Sequence, residues 1–203
     1  MAEAKSYRLP TTVIPERYEL RLTSDLTSWT FTGREKVSIQ ITEAVRDIIL
    51  NAAELELHRV SLKRSDGKML EGRAILDPVN ERATLSFPET LSAGKAELMV
   101  EFSGILNDKL HGFYRSTYKG ADGQHKPLAT THFESTHSTS AFPCWDEPAP
   151  KAVFQVALVV DEKLTAISNA WVIRETRLEG TGKKEVVFAD SIKMSTYLVA
   201  FIV

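Results

Sequence analysis

The chain has 203 residues, 43% of them hydrophobic and 26% charged, an ordinary globular composition with enough apolar material for a core. A formal net charge of -2 supplies no global positive field to draw it to nucleic acid or an acidic membrane. The single cysteine, Cys144, excludes an intrachain disulfide and fits a reducing compartment.

In chain order, the first eight residues hold no apolar stretch of the kind a secretory signal needs, and no Asn-x-Ser/Thr acceptor follows. The expectation is a soluble, cytoplasmic protein. Alternation then dominates. Tyr18, Leu20 and Leu22 share one strand face, as do Phe31, Val37, Ile39 and Ile41. Leu55 and Leu57 fall out of phase with Val60 and Leu62, which predicts a bulge between them. Leu85 and Phe87 continue the pattern, then Ala96, Leu98, Val100 and Phe102, and later Phe154, Val156, Leu158 and Val160. Period-two patterning argues half-buried strands.

Asp66-Gly67, the run Asp77-Pro78-Val79-Asn80, Ala93-Gly94 and Thr181-Gly182 are hairpin candidates. The best helix candidate, residues 136–141, is under two turns. Residues 197–203 read as a buried strand, far too short to span a bilayer. An apolar strand at the chain's end, without a following turn, reads as unpaired and as the mark of a truncated domain. Short strands with regular turns predict one all-β domain over residues 1–203, an antiparallel β-sandwich.

Three quoted segments carry a more specific reading: Thr131-His132-Phe133-Glu134, then Ala141-Phe142-Pro143-Cys144-Trp145-Asp146-Glu147-Pro148, then Lys151-Ala152-x-Phe154. Together they resemble the signature of the aminopeptidase N family of zinc peptidases, closest in pattern to its puromycin-sensitive and tricorn-interacting branches. Further matches occur in the family's order. They are Leu9-Pro10, Pro15-x-x-Tyr18-x-Leu20, Phe31-x-Gly33, Leu50-Asn51, Gly112-Phe113-Tyr114-x-Ser116, Ala166-Ile167-Ser168-Asn169 and the run from Met194 to Phe201.

The resemblance implies a saddle-shaped β-sandwich that packs on a thermolysin-like catalytic domain. That next domain would carry a G-x-M-E-N loop and an H-E-x-x-H zinc helix, and neither motif occurs here. The chain alone is therefore expected to be inactive, with no catalytic residue, metal ligand or cofactor of its own. Zn2+ is expected in the full-length protein. The expected partner is the N-terminus of a peptide substrate, shared with the missing catalytic domain, and neither nucleic acid nor membrane. A noncatalytic interaction module derived from the same family is the alternative.

His132 and His137 look superficially like a zinc pair. Their i, i+5 spacing puts them about 140° apart on a helix and on opposite faces of a strand, whereas a zinc helix needs i, i+4. If residues 128–134 form a strand, His132 and Glu134 share a face and Phe133 points into the core. The resemblance implies that both reach the substrate's first residue, with Glu134 binding its α-amine and His132 beside the first side-chain subsite. Carboxylates are ionised and peptide α-amines largely protonated at neutral pH, so a charge-assisted hydrogen bond between them would register the substrate from its end.

Cys144 reads as a buried, inert thiol, and Asp146 and Glu147 as anchors of a turn. Relatives carry alanine and arginine where this chain has Ser138 and Thr139. Threonine cannot replace a guanidinium fork, which puts the anchoring of that turn in question.

Overall fold

The computed structural model describes residues 8–203. The first eight residues, read from the sequence as holding no apolar stretch, lie outside them apart from Arg8. Fourteen strands form among the described residues: β1 (Val13–Asp25), β2 (Thr30–Ile41), β3 (Val45–Asn51), β4 (Leu55–Arg64), β5 (Met69–Asp77), β6 (Arg82–Leu91) and β7 (Gly94–Ile105). β8 (Gly112–Lys119), β9 (His125–His132), β10 (Val153–Asp161), β11 (Ile167–Ser168), β12 (Val172–Leu178), β13 (Lys183–Phe188) and β14 (Phe201–Ile202) follow. The alternating apolar residues are buried in register: Tyr18, Leu20 and Leu22 on β1, and Phe31, Val37, Ile39 and Ile41 on β2. The bulge expected between Leu57 and Val60 is present as a register shift between Leu57 and Arg59.

The strands form an all-β sandwich. One sheet runs β12-β13-β10-β1-β2-β7-β4-β5-β6-β3 and the other β11-β14-β9-β8. β5 is shared between two ladders. Its first half pairs with β4 from Lys63↔Met69 to Val60↔Gly72, and its second half with β6 from Arg73↔Ser86 to Asp77↔Arg82. A strand that changes partner midway carries the sheet round a corner. No helix among the described residues is long and apolar enough to cross a membrane.

Four expectations need correction. The sandwich is not wholly antiparallel: β1 and β10 pair in parallel, from Arg17↔Val153 to Thr23↔Val159. Ala93-Gly94 is not a hairpin turn, because it links β6 to β7, which are not neighbours. The helix candidate at residues 136–141 shrinks to a single 3₁₀ turn, Ser138–Ser140. Residues 197–203 are not one buried strand. A second 3₁₀ turn, Thr196–Leu198, opens the segment, and only Phe201 and Ile202 are strand. Side chains take its backbone donors, since Asn169 Oδ1 accepts from Ala200 N at 2.8 Å and Thr131 Oγ1 from Phe201 N at 3.0 Å. The segment does have a partner, because Val203 and Ala129 exchange backbone hydrogen bonds of 2.8 and 3.0 Å.

Two glycines explain part of the motif pattern. Gly33 of β2 sits opposite Phe102 of β7, and Gly104 of β7 opposite Phe31 of β2. A Cβ on Gly33 would lie 2.3 Å from the Phe102 ring, and one on Gly104 2.5 Å from the Phe31 ring. Each ring lies across the neighbouring strand's glycine, which closes the gap the missing side chain leaves. Gly33→Ala and Gly104→Ala are each expected to destabilise the fold by about 1–3 kcal/mol through overpacking. Urea midpoints check this; unchanged midpoints would mean the rings give way freely.

Glu35 of β2 is only 3% exposed, and neither carboxylate oxygen has a partner. Burial pushes its pKa well above the ordinary value. A raised folded-state pKa means the native state holds the proton more tightly than the unfolded chain. Stability is then fullest below the ordinary carboxyl pKa and falls as pH rises through the window above it. Glu35→Leu is expected to raise stability by about 1–3 kcal/mol at alkaline pH and by less in acid. Denaturation of both forms across that range measures the difference; a pH-independent difference would refute the assignment.

Candidate functional site

The segment from Ala141 to Asp146 is buried throughout, so its backbone polar groups must find partners inside the protein. They find them on chain blocks far away in sequence. Asn51, at the end of β3, exchanges backbone hydrogen bonds of 2.7 and 2.9 Å with Cys144. Its side-chain Oδ1 also accepts from Asp146 N at 3.2 Å. The Tyr18 hydroxyl lies 3.4 Å from Trp145 N, which donates to it, and Thr196 Oγ1 donates to Trp145 O at 2.9 Å. Ser195 Oγ donates to Pro148 O at 2.9 Å, and Leu9 N to Glu147 Oε1 at 2.7 Å. Sequence reasoning matched Leu9, Tyr18, Leu50-Asn51 and Met194–Thr196 as separate blocks. It missed that they meet around this one loop. A polar Asn closing an otherwise apolar strand end was the available sign.

The loop's side chains form the hinge of the core. Phe142 meets Tyr18 edge-on at 6.1 Å between ring centroids and Phe154 at 6.5 Å, while Tyr18 stacks on Phe154 at 4.7 Å. On its other side Phe142 meets Phe133 at 6.0 Å, and Phe133 meets Phe201 at 5.9 Å. Cys144 is fully buried, and burial drives its thiol pKa well up, so it carries no reactive thiolate. Thr139 is buried too, and its hydroxyl donates to Thr136 O at 3.3 Å, while its carbonyl accepts from Ala53 N at 2.9 Å. The turn is thus anchored by Asn51, Tyr18, Ser195 and Thr196 without an arginine at position 139.

Phe133 fixes the orientation of its neighbours. It is 2% exposed, whereas His132 and Glu134 on either side are exposed. The expected strand geometry holds only to His132, where β9 ends. Glu134 lies in a turn instead, because Phe133 O accepts from His137 N at 2.9 Å and is lost to the ladder. The Glu134–Ser135 peptide bond is cis. Glu134 makes no hydrogen bond or ion pair with any described residue. A surface carboxylate with a lysine or arginine partner is therefore not what this position holds.

His132 lies opposite Gly112 of β8, and its Nδ1 is 3.3 Å from Leu110 O. Gly112 adopts φ +73°, and a Cβ there would meet Ser140 Oγ at 2.1 Å. The glycine lets the start of β8 press against the turn that follows Glu134. Beside it, the His111 and His137 rings stack at 4.1 Å. Partial desolvation, then the proximity of His137, pushes the His111 pKa down. Among the described residues no group of three or more His, Cys, Asp or Glu side chains is placed to hold a metal ion. His132 and His137 diverge to different partners, Leu110 O and the His111 ring, so these two side chains do not form a zinc pair.

The family model for the peptidase M1 N-terminal domain matches residues 14–198. The chain is 43% identical over 205 residues to the puromycin-sensitive aminopeptidase of Caenorhabditis elegans, a match covering 100% of the chain and 21% of that protein. It is 42% identical over 200 residues to aminopeptidase M1 of Arabidopsis thaliana, covering 97% of the chain and 22% of the relative. Human endoplasmic reticulum aminopeptidase 1 is 38% identical over 200 residues, covering 97% and 21%. The chain therefore spans about a fifth of the length of these relatives. With its loop, its aromatic hinge and its sandwich all in place, the chain belongs to the peptidase M1 N-terminal domain family.

Proposed function

We propose that this domain is the substrate-recognition and structural part of a longer zinc aminopeptidase that removes N-terminal residues from peptides. Glu134 binds the α-amine and His132 borders the pocket for the first side chain. The observation that carries the reading is the state of Glu134. It is an exposed carboxylate without a partner, held on a turn that the buried Phe133 fixes from within. A preorganised, unpaired anion is suited to a peptide ammonium, because no internal ion pair has to break before the ligand binds. Zinc and the water-activating groups belong, on this reading, to a catalytic domain absent from the chain. No step of the reaction runs through the metal at the residues present here. Its place is the cytoplasm, a reading supported by a lone buried thiol and no cystine.

The catalytic domain would pack on apolar surface that the described residues expose. Ile167 of β11 pairs with Ile202 of β14, and both are exposed, as is Leu198 in the adjoining 3₁₀ turn. Trp171, Val172 and Ile173 at the start of β12 are exposed as well. On this reading, the isolated chain binds an apolar dye and self-associates in light scattering. A monomer that binds no dye would count against the packing role.

With added zinc, the chain alone is expected to release no more coumarin from an aminoacyl-coumarin substrate than its Glu134→Ala variant. In the longer protein, Glu134→Gln is expected to lower kcat/KM by about 10- to 100-fold, the loss expected for one charge-assisted hydrogen bond. An unchanged kcat/KM would remove Glu134 from the site. His132→Ala is expected to change the ranking of substrates by first residue while leaving amine recognition intact.

A further inference from the structure

His137 is the knot of the turn that presents Glu134. Its N–H closes the turn onto Phe133 O at 2.9 Å, and its carbonyl accepts from Ser140 Oγ at 3.0 Å. Buried Phe133 and Ser138 hold the two flanks, while residues 134–136 between them are exposed. The His137 ring lies flat on that of His111, with centroids 4.1 Å apart and planes 24° apart. His111 stands on a fixed base just ahead of β8. Its carbonyl accepts from Asn107 Nδ2 at 3.0 Å, and the next residue is Gly112, already pressed against Ser140. The stack therefore ties the middle of the Glu134 turn to the start of β8.

The stack suits a neutral His111. Its Nδ1 is buried and has no partner, so a proton placed there would be a donor without an acceptor. A charge on His111 would also face His137 at stacking distance. The other charged or titratable groups acting on His111 are Lys109, Glu54 and His132. Lys109 and His132 add to the cost. Glu54 opposes them, but Lys109 engages it at 2.6 Å. Asp146 of the signature loop acts on His137 instead and favours a charge on that ring. His111 is thus the member of the pair that resists protonation, and desolvation and then His137 push its pKa down. With a lowered folded-state pKa, the stack's contribution is fullest above the ordinary histidine value of about 6.5 and is lost as pH falls through the lowered one.

We propose that His111 and His137 are positioning residues for Glu134: their stack clamps the turn while His111 is neutral and frees it when His111 takes a proton, so that capture of a peptide amine weakens in mild acid. The proposal rests on the assignment of Glu134 to that amine. A peptide amine becomes more fully protonated as pH falls, so its own charge would move binding the other way.

The test is NMR of the 203-residue chain from about pH 8 to about pH 5. The His111 ring carbons report its protonation, and the heteronuclear NOE of the Glu134 and Ser135 amides reports the mobility of the turn. The NOE is expected to fall with the His111 midpoint, which lies below the ordinary histidine value. His111→Phe keeps a flat ring that takes no proton, and its turn is expected to stay ordered throughout. His111→Ala removes the ring, and its turn is expected to be loose at every pH. A turn whose mobility ignores the His111 midpoint, or loosens equally in His111→Phe, overturns the proposal. The wild-type titration decides even if a variant fails to fold.

In the longer protein, KM is expected to rise about tenfold for each pH unit below that midpoint, and His111→Phe to lack this acid limb. A limb carried by kcat alone, or kept in His111→Phe, also overturns it. Glu134→Gln separates the two claims. If it leaves kcat/KM unchanged while ring and turn remain coupled, the amine assignment falls and only the clamp stands. If it lowers kcat/KM while no coupling exists, the clamp falls and the assignment stands.

Discussion

The interaction on which the structure depends is a circuit of buried rings that joins the two sheets. It runs from Phe154 and Tyr18 on the large sheet through Phe142 to Phe133, then to Phe201, Phe113 and back to the large sheet at Phe31. Most of its contacts are edge-on or tilted, the arrangement the ring quadrupole favours, and each adds about 0.5–1.5 kcal/mol beyond the area it buries. Only Tyr18 brings a polar group into the circuit, and its hydroxyl is placed against the backbone of Trp145. Phe142 and Phe133 come from irregular chain, so the circuit fixes segments that no ladder holds. Once Phe133 is seated, His132 and Glu134 have nowhere to go but outward.

The signature loop is conspicuous as sequence for a reason that is structural rather than catalytic. Its backbone lies where water cannot reach, and each polar group needs a donor or acceptor delivered from a distant strand. Asn51 supplies two backbone hydrogen bonds and one from its side chain, and Ser195 and Thr196 supply hydroxyls. The matched blocks are thus one set of contacts scattered along the chain. The loop's incompletely satisfied atoms stand out against this. Trp145 Nε1 and Asp146 Oδ2 are buried without partners, in a neighbourhood where nearly everything else is paired.

Much of this was legible in the sequence. Strict alternation located the long strands, and a change of phase located the bulge in β4. The signature residues pointed to the family and to an outward His132 and Glu134. Partners were not legible, because a period of two says which face is buried and nothing about the neighbouring strand. Hence the parallel pairing of β1 with β10 was missed, and Ala93-Gly94 was read as a hairpin when it is a link between separated strands. The apolar run at residues 197–203 misled because hydrophobicity does not reveal that Asn169 and Thr131 side chains would take its backbone donors. Glu134 fell outside the strand for a similar reason, since a single hydrogen bond from His137 to Phe133 diverts the chain. The buried Glu35 was half legible: it falls in phase with Phe31 and Val37, but its charge argued for the outer face.

The parallel pairing of β1 and β10 also bears on how the protein is made. β1 is among the first parts of the described chain to leave a ribosome, yet Tyr18 waits for Trp145, 127 residues later, before its hydroxyl has its partner. Leu9 waits for Glu147 across 138 residues. During that interval β1 can pair with β2 through their short connection, but its other edge stays unpaired, with backbone N–H and C=O groups open. Contacts this distant in sequence slow folding and prolong the exposure of sticky edges. Synthesis of this domain therefore passes through a half-built sheet, and its yield in a cell is expected to depend on whatever shields that edge until β10 arrives.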